Sequence, residues 1–290
     1  MLRNLPTEEL VVAGVRSAVY RAGPSASHET VVFVHGNPGP LDDWTAIASA
    51  VAKFCRVVAI DMPGFGRADH PRDFDFSVEG YARHLGGLLE QLDVGRTHLV
   101  LHDFGAPWGL CWAVDHPEQV ASVTLFNSVL LARDFEWHTF AKIWQLPLLG
   151  ELLQLVAGPA AIRAVMNRDN PRPLPRAFVE RVLHYCDWNQ KLGVLALYRS
   201  ARDVAATFGP LGERVRALDL PACVIWGAED RYTPVRLAER QRECFPRAEI
   251  HLLPGLGHWP FIEDEATTCR LVCEFLARQL ACAEERAPSS

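Results

Sequence analysis

The stretch LVLHDFGAPWG, residues 99–109, sets a carboxylic acid, Asp103, between an apolar run that reads as a strand and an apolar segment that reads as a helix. A strand turning sharply into a helix lifts one side chain to the top of a sheet, and the widespread form of that turn, G-x-S-x-G, carries serine there. Here the flanks are Leu101 and Gly105, and the central residue is aspartate. Two residues able to serve such a group come later: Asp230 after ACVIWG, and His258 after EIHLLPGLG. Earlier, the run VVFV opens into His35-Gly36-Asn37-Pro38-Gly39, a loop whose backbone amides can point at a developing negative charge. In strand–turn–helix sites of this kind one amide comes from the residue after the central one, here Phe104, and another from the earlier loop, here Asn37.

Aspartate and serine break different bonds. A carboxylate is a poor nucleophile toward acyl carbon, because the anhydride it forms reverts easily. It can displace a leaving group at an sp³ carbon and form an alkyl ester, which water activated by a histidine then hydrolyses. Taken singly, each residue has a structural use: Asp103 can cap a helix, Asp230 can hold a turn or pair with Arg231, and His258 can sit in a solvated loop. Their order, each just past an apolar run, points to one site at the carboxyl edge of a parallel sheet.

The elements that must position them follow from the pattern. Apolar, β-branched runs recur at 30–35, 56–61, 97–103, 121–127, 222–227 and 248–254, with helix-like stretches at 77–92, 106–116, 234–243 and 265–282. Alternation of strand and helix predicts an α/β fold with a mostly parallel sheet covered by helices on both faces. The strands lack strict polar alternation, as strands buried on two faces do. From about 130 to 217 the rhythm breaks into helical pieces punctuated by Pro171, Pro173 and Pro175. The expected organisation is a core of residues 1–129 and 218–290, with a helical cap of residues 130–217 inserted between strands.

The chain has 290 residues, 49% of them apolar, and a net charge of −6. That length suits a large core, and the charge offers no basic field for nucleic acid or anionic lipid. No apolar run reaches membrane length, and the first residues lack the apolar core of a signal peptide. The eight cysteines are dispersed without a C-x-x-C pair, so the expectation is a reduced, cytoplasmic protein with no metal and no cofactor. Its partners would be water and a small apolar substrate, with no nucleic acid and no membrane, and its state a monomer or homodimer.

The motifs HGNPG, DMPGFGRAD at 61–69, LHDFG, VIWGAEDRYTP and GLGHWPFIEDE resemble the α/β-hydrolase fold superfamily over residues 10–282. Within it, the aspartate elbow is similar to epoxide hydrolases and haloalkane dehalogenases. The resemblance implies Asp103 as nucleophile, His258 as base, Asp230 as its orienting acid, and the amides of Asn37 and Phe104 as the oxyanion hole. Opening an epoxide also needs a proton donor, and LALYRS at 195–200 is similar to the tyrosine-arginine segment late in the cap of that family, which implies Tyr198. The family often has a second tyrosine early in the cap; here residues 137–140 read Trp-His-Thr-Phe, where His138 or Thr139 can stand in. Dehalogenases commonly place tryptophan directly after the nucleophile to hold halide, and Phe104 has no such donor, although Asn37, Trp137 and Trp144 are available. Epoxide hydrolysis is therefore the expected activity and alkyl halide hydrolysis the alternative. Esterase, C–C hydrolase and non-catalytic binding roles stand behind them. His35, Trp137, His138, Trp144 and Trp259 are expected to line an apolar substrate site, with Trp44 near it.

Overall fold

The computed structural model describes residues 5–25, 27, 29–128 and 135–284. The expected junction of core and cap at 129–130 lies outside the described residues. Eight strands form one sheet: β1 (Glu8–Val12), β2 (Val15–Ala22), β3 (Glu29–Val34), β4 (Arg56–Ile60), β5 (Arg96–His102), β6 (Val120–Phe126), β7 (Ala222–Gly227) and β8 (Glu249–Leu253). Their order is β1-β2-β4-β3-β5-β6-β7-β8. β2 pairs antiparallel with both β1 and β4, and every other neighbouring pair is parallel.

The helices are α1 (Thr45–Val51), α2 (Val78–Gln91), α3 (Gly105–Asp115), α4 (Thr139–Trp144), α5 (Leu149–Val156), α6 (Pro159–Asp169), α7 (Arg176–Tyr185), α8 (Trp188–Ser200), α9 (Val204–Ala217), α10 (Arg236–Arg240), α11 (Pro260–Glu263) and α12 (Glu265–Glu284). Several starts are set by side chains that take an otherwise unpaired amide. Ser77 caps α2 through Gly80 N at 3.0 Å, Asp187 caps α8 through Gln190 N at 2.8 Å, and Asp203 caps α9 through Ala206 N at 3.0 Å. Pro159 opens α6 at a position where its missing N–H costs nothing.

One apolar layer joins α2, α3 and α9 to one face of the sheet, around Tyr81, Leu85, Trp108 and Phe208. The other joins α1 and α12 to the opposite face, around Phe33, Ile47, Val272 and Phe275. Trp44 belongs to this second layer: it is fully buried and stacks on Phe261 at 4.5 Å, away from any substrate.

The interval between β6 and β7 contains helices α4 to α9 and no strand among the described residues. α9, expected within the cap, packs on α3 and shares its apolar layer through Phe208, Leu211 and Val215. The helices left over the carboxyl edge of the sheet are α4 to α8. A buried ion pair, Arg181 of α7 to Asp43 at 2.6 Å, ties them to the loop after β3. No single helix among the described residues is long and apolar enough to cross a membrane.

Candidate active site

Asp103 follows the last residue of β5 directly and has a left-handed backbone, φ +48°. That conformation is uncommon outside glycine and marks a strained turn. It is tolerated because the chain approaches from two sides without a Cβ. A Cβ on Gly36 would lie 2.4 Å from Asp103 Cβ, and one on Gly105 would lie 2.4 Å from the carbonyl oxygen of Val34. The loop after β3 therefore closes onto the elbow, and Asn37 N–H donates to Asp103 Oδ2 at 2.8 Å. The Phe104 amide also favours the ionised form of this carboxylate. Burial pushes the Asp103 pKa up, and His258 and the two amides only partly oppose it.

His258 stands just past β8 and α11 begins two residues later. Its Nδ1 lies 2.8 Å from Asp230 Oδ2. That contact puts the ring proton on Nδ1 and leaves Nε2 free as a base. Asp230 is saturated with donors: Oδ1 accepts from Tyr232 N at 2.7 Å and Thr233 N at 3.1 Å, and Oδ2 from Asn127 Nδ2 at 2.6 Å and the Thr233 hydroxyl. Burial alone would raise the Asp230 pKa, yet His258 and these donors hold it below the ordinary carboxylate value. Burial alone would likewise depress His258, and the charges of Asp230 and Asp103 reverse this and raise it.

His102 and Asn127 support the pair, and neither stood out in the sequence. His102 Nε2 donates to the His258 carbonyl at 3.0 Å, which fixes the loop carrying His258. Asn127 spans Asp230 and Gly227 N, accepting from the latter at 3.0 Å. The signal that could have found Asn127 is its place, one residue past β6, matching that of Asp103 past β5.

A cavity of about 280 Å³ joins Asp103, Asn37 and His258 to the helices above. Tyr198, Trp137, His138, Trp144 and Trp259 all line it. Asn37 Nδ2 donates to the Tyr198 phenol oxygen at 3.4 Å, leaving the phenol proton unclaimed. Burial and the charge of Asp103 hold the Tyr198 pKa well above that of a free phenol, so it keeps that proton. His138 Nδ1 accepts from Ala141 N at 3.3 Å as the cap of α4. Burial lowers its pKa to about 4, so near neutrality the ring is uncharged, with its proton on Nε2. Trp137 stacks on Phe104 at 5.6 Å, and its indole N–H is spent on the Ala201 carbonyl at 3.1 Å. Among the described residues the Trp144 indole N–H has no partner.

His35 does not line the cavity, contrary to expectation. Its ring turns inward, with Nδ1 bonded to the Gly36 carbonyl at 2.9 Å and Nε2 accepting from Met62 N at 3.0 Å, so it braces the loop that carries Asn37. Tyr232 is the converse. It was passed over in sequence, yet it lines the cavity with its ring 5.2 Å from that of His258. Among the described residues no group of three or more histidine, cysteine, aspartate or glutamate side chains is gathered to hold a metal ion.

A mostly parallel sheet with a strained aspartate elbow, and an acid–histidine pair at the same edge, defines an α/β-hydrolase architecture. Residues 29–265 match the alpha/beta hydrolase fold family, and the chain belongs to it as a hydrolase of that fold. A 2-hydroxymuconate semialdehyde hydrolase from a Pseudomonas species is 27% identical over 279 residues, 95% of each chain. A 2-hydroxy-6-oxononadienedioate/2-hydroxy-6-oxononatrienedioate hydrolase of Burkholderia vietnamiensis is 26% identical, covering 93% of this chain and 94% of its own. Among solved structures, a haloalkane dehalogenase of Bradyrhizobium elkani superposes with a TM-score of 0.85 at 20% identity, over 96% of this chain and 100% of its own. At that identity the likeness speaks for the fold alone.

Proposed function

We propose that the protein hydrolyses an epoxide on a small apolar molecule through an ester at Asp103. The observation that carries this is one contact set: a carboxylate held by the Asn37 amide, below a protonated phenol bonded to the same loop. An Asp103 oxygen attacks a ring carbon as the carbon–oxygen bond opens. The leaving oxygen takes the Tyr198 proton, and the His138 Nε2–H is a second donor to it. His258 Nε2 then takes a proton from water, and the hydroxide adds to the Asp103 carboxyl carbon. The amides of Asn37 and Phe104 hold the resulting oxyanion. Collapse releases the diol, and the two protons of that water restore the alcohol and the phenol. The site residues and water suffice for these steps.

Alkyl halide hydrolysis is the second reading, supported by Trp144, which lines the cavity and whose buried indole N–H has no partner among the described residues. Against it, the Trp137 N–H is committed to Ala201 and Phe104 has no donor, so a departing halide finds fewer contacts. The names of the curated relatives favour a third substrate, a 2-hydroxymuconate semialdehyde or a related dienoic acid. Hydrolysis at a carbonyl carbon would place Asp103 in a role that carboxylates perform poorly.

The test is His258→Gln incubated with epoxides and haloalkanes, followed by intact mass. The expected gain is the mass of a whole epoxide, mapped to Asp103. A gain of an alkyl group with halide released supports the second reading, and no adduct in the folded variant removes both.

A further inference from the structure

The catalytic edge accounts for one end of the cavity. The other end is lined by Gln154 of α5 and by Gln190 and Lys191 of α8, polar groups in an otherwise apolar wall of residues such as Val156, Ile162 and Val194. Gln154 and Gln190 are 6% and 5% exposed. Among the described residues, neither side-chain amide makes a hydrogen bond, although both face the cavity. Both carboxamides open onto the cavity, so a ligand group placed between them can take hydrogen bonds that the protein leaves unused.

Lys191 sets the sign of that group. Its ammonium donates to the carbonyls of Gln154 and Ala157, both at 2.8 Å, closing the end of α5 and leaving a third N–H. Among the described residues it forms no ion pair. The neighbouring acid, Asp187, is engaged in capping α8 through Gln190 N. Two amide donors and an uncompensated cation select an acceptor that carries negative charge.

We propose that Gln154, Gln190 and Lys191 form a carboxylate-binding subsite, and that the substrate is an elongated apolar acid whose reactive carbon lies at the opposite end. α8 gives the length. Gln190, Val194 and Tyr198 recur every four residues along one helix face, and all three line the cavity. Eight residues of rise put the two ends about 12 Å apart, the reach of an extended chain of roughly ten carbons. The choice of Tyr198 as the reactive end rests on the epoxide reading; the subsite itself does not.

Binding of unreactive ligands tests the subsite apart from the chemistry. The probes are straight-chain saturated carboxylates of increasing length, with the matching alcohols and methyl esters, followed by calorimetry or by fluorescence of the tryptophans lining the cavity. Affinity should peak near ten carbons, with the acid binding roughly tenfold to a hundredfold more tightly than the alcohol or ester. Gln190→Leu should lose that preference while still binding the alcohol, and Gln190→Glu should turn it toward the matching amine. Equal binding of acid and alcohol would make these residues a wetted mouth and overturn the subsite, as would an unchanged preference in Gln190→Leu. If the acid binds as expected but the matching terminal epoxide acid leaves no adduct on His258→Gln, the subsite stands and the epoxide reading fails.

Discussion

Replacing Tyr198 by phenylalanine removes a single oxygen, and the structure separates its effect on folding from its effect on chemistry. The phenol makes one long hydrogen bond, 3.4 Å from Asn37 Nδ2, while its ring keeps its contacts with Phe104, Trp137 and Trp144 at 5.0–5.2 Å. Losing so long a bond should cost less than ~1 kcal/mol of stability. Losing the proton donor to a departing alkoxide should slow ester formation by roughly 10²–10⁴, or ~2.7–5.4 kcal/mol of barrier. Rapid mixing with an epoxide, followed by quench and intact mass, reads that step directly when made in a His258→Gln background. Hydrolysis of the ester, read in the otherwise native enzyme, should keep its rate, because the amides, His258 and Asp230 are untouched. An unchanged rate of ester formation would refute the assignment of Tyr198. The same variant tested on an alkyl halide should form ester without loss, since halide leaves without a proton.

Other perturbations probe the scaffold and the charges. Gly36→Ala places a Cβ 2.4 Å from Asp103 Cβ, so the folded variant should lose ester formation by at least about a hundredfold; an active variant would show that the loop need not close on the elbow. Arg181→Met leaves Asp43 buried without its partner and should destabilise the fold by ~3–5 kcal/mol in denaturant titration, with much of it recovered by adding Asp43→Asn. A loss under ~1 kcal/mol would mean that the pair does not anchor the helices above the sheet. Ester formation needs ionised Asp103, whose pKa is raised by burial. Its rate should fall as pH drops, starting at a higher pH than for an ordinary carboxylate, and a limb at or below the ordinary value would contradict that environment. Asn127→Ala removes a 2.6 Å bond to Asp230 and should slow ester hydrolysis by roughly tenfold to a hundredfold, with ester formation spared; equal slowing of both steps would argue for a purely structural role.

How far the sequence revealed this arrangement depended on which surfaces the residues face. Strands β3 to β7 stood out because burial on both faces writes a continuous apolar run. β1 and β2 did not, because β1 is largely exposed and the pair is joined by a tight turn at Ala13-Gly14, with φ +50° and +81°. The AG turn inside an alternating segment was the available signal. Asp103, Asp230 and His258 were legible because a polar residue at the end of an apolar strand is conspicuous. His35 was misplaced for the same reason: a histidine at a strand end looks available, and only the packed structure shows its ring turned toward Met62. Gln154, Gln190 and Lys191 carry no linear signal, since they lie on α5 and α8, which meet only in the packed fold.

On the proposed pathway, the charges around Asp103 also bear on when His258 becomes a base. Before attack, Asp103 and Asp230 flank His258, and their combined charge favours its protonated form against burial. A raised His258 pKa does not impede this stage, because the attacking group is the carboxylate. Once Asp103 becomes an ester its charge is gone, and with it one of the terms holding the proton on His258. Burial then pulls the imidazole toward its neutral form at the moment a base is needed, while Asp230 remains to stabilise the cation formed by deprotonating water. A serine elbow has no equivalent change, since its hydroxyl is neutral before attack and an ester afterwards. On the proposed pathway, the aspartate selects the bond to be broken and, by losing its charge, prepares the base for the step that follows.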